Sequence, residues 1–238
     1  MADILLVAAS GLARETLASV RDAGTDRVVG ILDDDPALAG TTVSGVPVLG
    51  PAALAAQRSE RLLLCPGQGA ARIALAARLA DLGVGAERYA VHVHPSVVIG
   101  AGSAVGAGSI LLAGCVLTCD VTVGEHVVLM PRTVLTHDDE LADGVTCAAG
   151  VTLAGRVRVG ERAYLGMQTS VRQDVRVGAD ATLGMGAVVL RDVPPGRTWV
   201  GAPAAELRRD RAGGPALPHP RPVGVLPLLT SHGRIRVP

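Results

Sequence analysis

Val159-Gly160-Glu161-Arg162-Ala163-Tyr164, Leu165-Gly166-Met167-Gln168-Thr169-Ser170, Val171-Arg172-Gln173-Asp174-Val175-Arg176 and Val177-Gly178-Ala179-Asp180-Ala181-Thr182 are four consecutive hexapeptides of one pattern. Each opens on an aliphatic residue and carries a small or β-branched residue fifth. The same phase runs from Val93 to Pro194 with no inserted or deleted residue, and only Cys147 among the first positions is not aliphatic. A period of six cannot come from an α-helix, whose apolar stripe recurs at about 3.6 residues. It fits short strands joined by tight turns, three to a coil, closing a triangular prism whose coils stack about 4.8 Å apart. The frequent Gly at second position (Gly100, Gly106, Gly124, Gly160, Gly178) is expected to let the turn backbone reach φ > 0. An antiparallel β-sandwich has no reason to hold such a phase.

On either side the pattern changes. Residues 1–90 read as a small α/β, Rossmann-like domain. Strands are expected at Ile4–Val7, Arg27–Leu32 and Leu62–Cys65, with helices over 12–23 and 70–82. Alternating strand and helix predict a parallel sheet, whose ligand edge lies at the strand C-termini. Ser10-Gly11, Asp33-Asp34 and Gly67-Gln68 would gather there. The first turn, Ala8-Ala9-Ser10-Gly11-Leu12-Ala13, is not a dinucleotide fingerprint, and Asp33-Asp34-Asp35 reads equally as a turn and helix cap. The repeats occupy 91–207, and 208–238 is rich in Pro, Gly and Arg and reads as an extended tail.

Lys+Arg and Asp+Glu both number 22, so the formal net charge is zero, and nucleic acid is not expected as a partner. No apolar run approaches the ~20 residues of a membrane span. The start, Met1-Ala2-Asp3-Ile4, lacks a basic leader, so a cytoplasmic protein is expected. The four cysteines have no CxxC spacing, which argues against a zinc knuckle or redox motif.

His137 stands third in Leu135-Thr136-His137-Asp138-Asp139-Glu140. The coil register puts Cys119 one coil below and Gly155 one coil above. A residue without a side chain over the imidazole leaves a slot for a thioester. A His beside a carboxylate suits a general base, since its pKa lies near neutrality; the alternative is a surface His on a turn. The other histidines show no comparable neighbourhood, and His126 with His137 alone cannot supply a three-histidine zinc site. No metal is expected. Asp139 stands at an inward fifth position, where an unpaired carboxylate would cost several kcal/mol. Either a bulge turns it outward or it is hydrogen-bonded inside the coil.

Several stretches carry a family resemblance: Leu32-Asp33-Asp34-Asp35-Pro36, Gly45-Val46-Pro47-Val48-Leu49-Gly50, His94-Pro95-Ser96, Thr136-His137-Asp138, Leu153-Ala154-Gly155 and Asp192-Val193-Pro194-Pro195-Gly196 leading to Val200-Gly201-Ala202-Pro203. The chain apart from its tail resembles the bacterial sugar O- and N-acetyltransferases of the hexapeptide-repeat class, the sialic-acid O-acetyltransferases and UDP-4-amino-sugar N-acetyltransferases. The resemblance implies a left-handed parallel β-helix, a homotrimer and acetyl-CoA as donor. It implies His137 as general base with Asp138 as its partner, and Gly155 bonding the thioester carbonyl. Gly166, Met167, Gly184 and Met185 would line the pantetheine path between subunits. Ser10, Gly11, Asp33 and Asp34 would hold the nucleotide part of an acceptor.

Departures from the family fall near the acceptor and the reaction centre. Ala8 stands where a Gly is usual, Leu12 where His is frequent, and Met130-Pro131 where an Asn is expected. Thr146 stands where some members carry a second His. The leading expectation is direct transfer of an acetyl group from acetyl-CoA to an amine or hydroxyl of a sugar-like metabolite, with Cys119 structural rather than a nucleophile. The competing expectation is a catalytically silent trimeric scaffold or ligand sensor of the same fold.

Overall fold

The computed structural model describes residues 1–207, which form one compact unit. The tail expected over 208–238 lies outside the described residues. The N-terminal part comprises β1 (Ala2–Val7), α1 (Gly11–Ala23), β2 (Asp26–Leu32), β3 (Thr42–Val43), β4 (Val46–Gly50), β5 (Arg61–Leu64) and α2 (Gly69–Asp81). The sheet runs β3-β4-β2-β1-β5. Its pairings are parallel except for the β3–β4 hairpin. That hairpin was not among the expected strands. Its turn is Ser44-Gly45, at φ 48 and φ 80, a pair of left-handed residues of the kind tight hairpins need.

Side chains of β1 alternate between two cores, as the strand period demands. Leu5 and Val7 pack with Leu62, Leu64 and Leu79 on one side of the sheet. Ile4 and Leu6 pack with Leu12 and Leu17 of α1 on the other, and that cluster continues into Ile110, Leu112 and Val128 of the repeats. The N-terminal sheet therefore shares a hydrophobic core with one face of the prism. Ser10 starts α1 by accepting the Ala13 N–H, and Gly24 ends it at φ 63.

From His92 to Val189, two-residue strands repeat every six residues and pair in parallel with the strand eighteen residues away, as in Val116↔Val134 and Leu117↔Leu135. The result is the left-handed β-helix, with three stacked sheets. First and fifth positions fill the interior: Leu117, Leu135, Leu153, Val121, Val145 and Val157 are fully buried. Sixth positions point outward and differ by face. One face is covered by the N-terminal part at Ile110, Val128 and Thr146, which are buried, and emerges from cover at Tyr164. A second carries Thr122, Glu140, Arg158 and Arg176, all exposed. The third carries Val98, Val116, Val134, Thr152, Ser170 and Val188, and is uncovered or half-buried.

The expected role of the second-position glycines is corrected. Positive φ falls at the fourth position, where Asp120, His126, Arg132, Asp138, Arg156 and Asp174 all adopt it. Second-position glycines have backbones outside that region and are needed for close approach of coils. A Cβ on Gly100 would lie 1.5 Å from the Thr118 carbonyl oxygen, and one on Gly160 2.5 Å from the Ala179 nitrogen.

Candidate active site

His137 sits in the turn between the exposed charged face and the uncovered apolar face. Asp138, at the fourth position, adopts φ 61, which Asp tolerates better than most residues. This conformation brings its carboxylate back to its neighbour: His137 Nδ1 lies 2.7 Å from Asp138 Oδ2. With the proton on Nδ1 donated to the carboxylate, Nε2 carries the free lone pair. The imidazole is about half exposed, at 49%. Gly155 lies directly above, and a Cβ there would come within 2.3 Å of both His137 Cε1 and Nε2. Only glycine leaves Nε2 accessible from that side.

Asp139 is fully buried and remains inside the coil. Of the two outcomes expected for it, the hydrogen-bonded one holds. Oδ2 accepts the Thr136 N–H at 2.7 Å, and Oδ1 accepts the Val157 N–H of the next coil at 2.9 Å. Burial pushes its carboxyl up to about 6, against the pull of those two N–H donors.

Gly166, Met167, Gly184 and Met185 lie at a different corner, where the apolar face meets the covered face. They stand one prism face away from His137 and two to three coils further along, since Met167 and Met185 stack two and three coils above Pro131, which is level with His137. Met185 is 74% exposed and Met167 49%. Met167 borders a cavity of about 970 Å³ between prism and N-terminal domain, also lined by Gly11, Leu12, Gly67, Gly69, Met130 and Tyr164. Within one chain, His137 is at the corner opposite the covered face and does not reach this cavity.

The acceptor residues named from sequence are divided. Gly11 borders the large cavity; Asp33 and Asp34 border a smaller one of about 420 Å³ at the strand C-termini, with Ala8, Pro66 and Arg78. Their polar groups already serve the fold. Ser10 Oγ donates to the Cys65 carbonyl at 2.5 Å, and Asp33 accepts the Ala9 and Asp35 N–H groups. Asp34 accepts from Ala52 N and from Arg78, and the guanidinium holds its carboxyl below the usual range. Ala8 lies at φ 82, in the region that favours glycine, which gives a physical reason for Gly at that turn.

Sequence reasoning missed Arg72. It is fully buried, and burial pulls its guanidinium down to about 10. It donates to the carbonyls of Pro66, Gly67, His126, Gly144 and Val145 and to Thr146 Oγ1, riveting α2 to the prism beside the large cavity. The signal was present: Arg72 stands in the stripe of Leu75, Ala76 and Leu79, at core spacing. The view that no other histidine has a comparable neighbourhood is also corrected. His94 bonds Asp22 through Nε2 and Ser96 through Nδ1, both at 2.7 Å, since the β-helix entrance packs against the end of α1. His92 and His126 are buried, and desolvation pulls both down to about 4.

Among the described residues, no helix is long and apolar enough to cross a membrane, and no cluster of three or more metal-ligating side chains occurs. Neither a family model nor a curated protein sequence matches the chain. Solved structures do. PerB from Caulobacter crescentus, in complex with CoA and GDP-perosamine, is 31% identical, with 87% of this chain and 98% of that one covered and a TM-score of 0.79. The acetyltransferase domain of PglB from Neisseria gonorrhoeae FA1090, in complex with acetyl coenzyme A, is 27% identical over 86% and 98% of the two chains, with a TM-score of 0.77. WeeI from Acinetobacter baumannii AYE is 25% identical over 86% and 99%, with a TM-score of 0.63.

Proposed function

The chain belongs to the hexapeptide-repeat sugar N-acetyltransferases, and on that footing we propose that it transfers an acetyl group from acetyl-CoA to the amine of a nucleotide-linked sugar, at a site shared between copies of the chain. The observation that carries this reading is the pairing of His137 with Asp138 beneath a glycine. The acceptor amine attacks the thioester carbonyl carbon while His137 Nε2 takes its proton. The Gly155 N–H donates to the oxygen as negative charge develops. The tetrahedral intermediate collapses, the C–S bond breaks, and the imidazolium returns the proton to the CoA thiolate. Asp138 holds the ring in the reactive tautomer and stabilises the transient imidazolium. No acyl-enzyme is required, and the buried Cys65, Cys115 and Cys147 are held protonated by burial.

The division of site residues between two corners supports a trimer. Packing the uncovered apolar face around a three-fold axis brings the His137 edge of one copy toward the Met167–Met185 edge and the large cavity of the next. The pantetheine arm of CoA then runs along Gly166, Met167, Gly184 and Met185, and the acceptor enters from the N-terminal domain, by Gly11 and the Asp33–Asp34 edge. Leu12 is buried against a core that Met130 also joins, and both line the cavity. Two positions that hold polar groups in related proteins are thus apolar, which suits a deoxygenated sugar over a fully hydroxylated one.

The test is thiol release from acetyl-CoA with GDP-perosamine and a panel of UDP-linked amino sugars as acceptors. Turnover dependent on an amino sugar and abolished in His137→Ala is expected. Acetyl-CoA binding with no turnover on any acceptor would overturn the catalytic reading in favour of a silent scaffold.

A further inference from the structure

We infer that Asp139 is a positioning residue for this reaction: its buried carboxylate couples the turn carrying His137 to the coil carrying Gly155 and so sets the slot between base and thioester. The inference rests on the functional reading above. It starts from the fifth-position column, where Val121 lies one coil below Asp139 and Val157 one coil above, both fully buried. Other polar fifth positions in the repeats are hydroxyls or thiols, such as Ser103, Ser109, Thr133 and Thr169; Asp139 is the carboxylate among them. A valine would satisfy the fold, and a buried carboxylate works against it. A destabilising group at the coil that carries His137 is the pattern of stability yielded for function.

The hydrogen bonds show what the carboxylate does. In the coils below and above, the second-position N–H bonds the next coil: Thr118 N to the Leu135 carbonyl and Ala154 N to the Val171 carbonyl, both at 3.0 Å. At the His137 turn, Thr136 gives its N–H to Asp139 Oδ2. Where the fifth position of the coil below is apolar or absent from the pairing, fifth-position N–H groups close their own turn, as Val151 N does to the Ala148 carbonyl and Ala163 N to the Gly160 carbonyl, both at 3.3 Å, whereas Val121 and Val127 give theirs to serine hydroxyls one coil below. Val157 gives its N–H to Asp139 Oδ1 instead. Thr136 immediately precedes His137, and Val157 follows Gly155 by two residues. One side chain therefore replaces a rung of the ladder and the closing bond of a turn, on either side of the reacting groups. The ionisable groups facing it are His137 and Asp138 on its own turn and Cys147 across the interior.

The experiment compares Asp139→Val with Asp139→Ser. Valine is the residue of the adjacent coils and lets Thr136 and Val157 return to ordinary partners. Serine restores one acceptor, since Ser103 Oγ and Ser109 Oγ accept the next-coil N–H of Val121 and Val127 at 3.1 and 3.0 Å. In the acetyl-CoA assay, with whichever panel acceptor the wild type uses, Asp139→Val should stay trimeric and folded. Its kcat should fall about ten- to a hundredfold, with KM for acetyl-CoA within about threefold of wild type, the cost of a misplaced reacting group. Asp139→Ser should recover part of kcat. A folded Asp139→Val with wild-type kcat overturns the inference, as does a fall in kcat that merely tracks loss of folded trimer in both variants. Absence of wild-type turnover on every acceptor defeats the functional reading instead. The His137 Nδ1–H proton resonance then judges the coupling by itself: perturbed in Asp139→Val and recovered in Asp139→Ser supports it, and unchanged in both overturns it.

Discussion

The charged face and the uncovered apolar face of the prism are built from the same hexapeptide, on the same backbone, and differ only at the sixth position. One presents Glu140, Arg158 and Arg176 beside the ion pairs Arg158–Glu140 and Arg156–Asp174. The other presents Val98, Val116, Val134 and Val188, with the uncharged Thr152 and Ser170 between them. Interior packing is indifferent to this choice, because sixth-position side chains leave the coil. The sixth position therefore reports what covers each face: solvent over the first, and, in the proposed assembly, further copies of the chain over the second. His137 lies where the two faces meet, so the proposed catalytic corner is also the rim of the proposed interface.

The largest expected effect is at that shared corner. His137→Ala should lower turnover by about two to four orders of magnitude, the range of general acid–base catalysis. The trimer should persist in sedimentation, because the ring points away from the coil interior. Near wild-type turnover would remove the corner from the chemistry.

Placing a charge on each face breaks the comparison most directly. Val134→Arg on the apolar face should dissociate the trimer at micromolar concentration and abolish turnover, since a charge buried without a partner costs roughly 3–5 kcal/mol. Thr122→Arg, on the charged face one coil below Glu140, should leave both mass and activity unchanged. Equal tolerance of the two substitutions in sedimentation would show that the apolar face is not the interface.

The turn joining the faces should carry a pH signature. Asp139 is held near 6 in the folded chain against an ordinary value of 3.8, so the folded state keeps the proton more tightly than the unfolded one. Its contribution to stability is most favourable below about 3.8, falls as pH rises toward about 6, and is level above that. Asp34, Asp174 and Asp180 are shifted the other way by their arginine partners. The clean measurement is therefore the melting difference between Asp139→Val and wild type across pH 4–7, which should grow with pH up to about 6. A pH-independent difference would show that the carboxylate is not the strained group.

The smallest effect belongs to the charged face. Arg158→Ala should change folding stability by less than about 1 kcal/mol, because an exposed ion pair gains little in water. A larger loss in denaturant titration would mean that this face, too, is covered.

The β-helix was legible because a six-residue period admits few structures, and each face repeats the same local solution. The glycine above His137 followed from register, since eighteen residues make one coil and vertical neighbours can be counted, while Asp138 as its partner followed from adjacency and the family resemblance. The β3–β4 hairpin was less legible, being a two-residue strand against a five-residue one with Pro47 inside it. The role of glycine was misassigned because sequence shows where a side chain is missing but not whether torsion or a neighbouring coil requires it. Distances of 1.5 to 2.5 Å from imagined Cβ atoms decide for the neighbouring coil at Gly100 and Gly160.

By itself, then, the sequence determined the prism, its interior, the stacking of Cys119, His137 and Gly155, and the dilemma posed by Asp139, all consequences of a strict period acting through short-range geometry. Tertiary structure decided what no period encodes. It resolved Asp139 inward onto Thr136 and Val157, buried Arg72 in a ring of carbonyls, and engaged Ser10, Asp33 and Asp34 in the fold's own hydrogen bonds. It also set His137 on the far side of the prism from the N-terminal domain. These depend on which surfaces meet, and contact between segments tens of residues apart is set by the packing of whole faces rather than by local pattern.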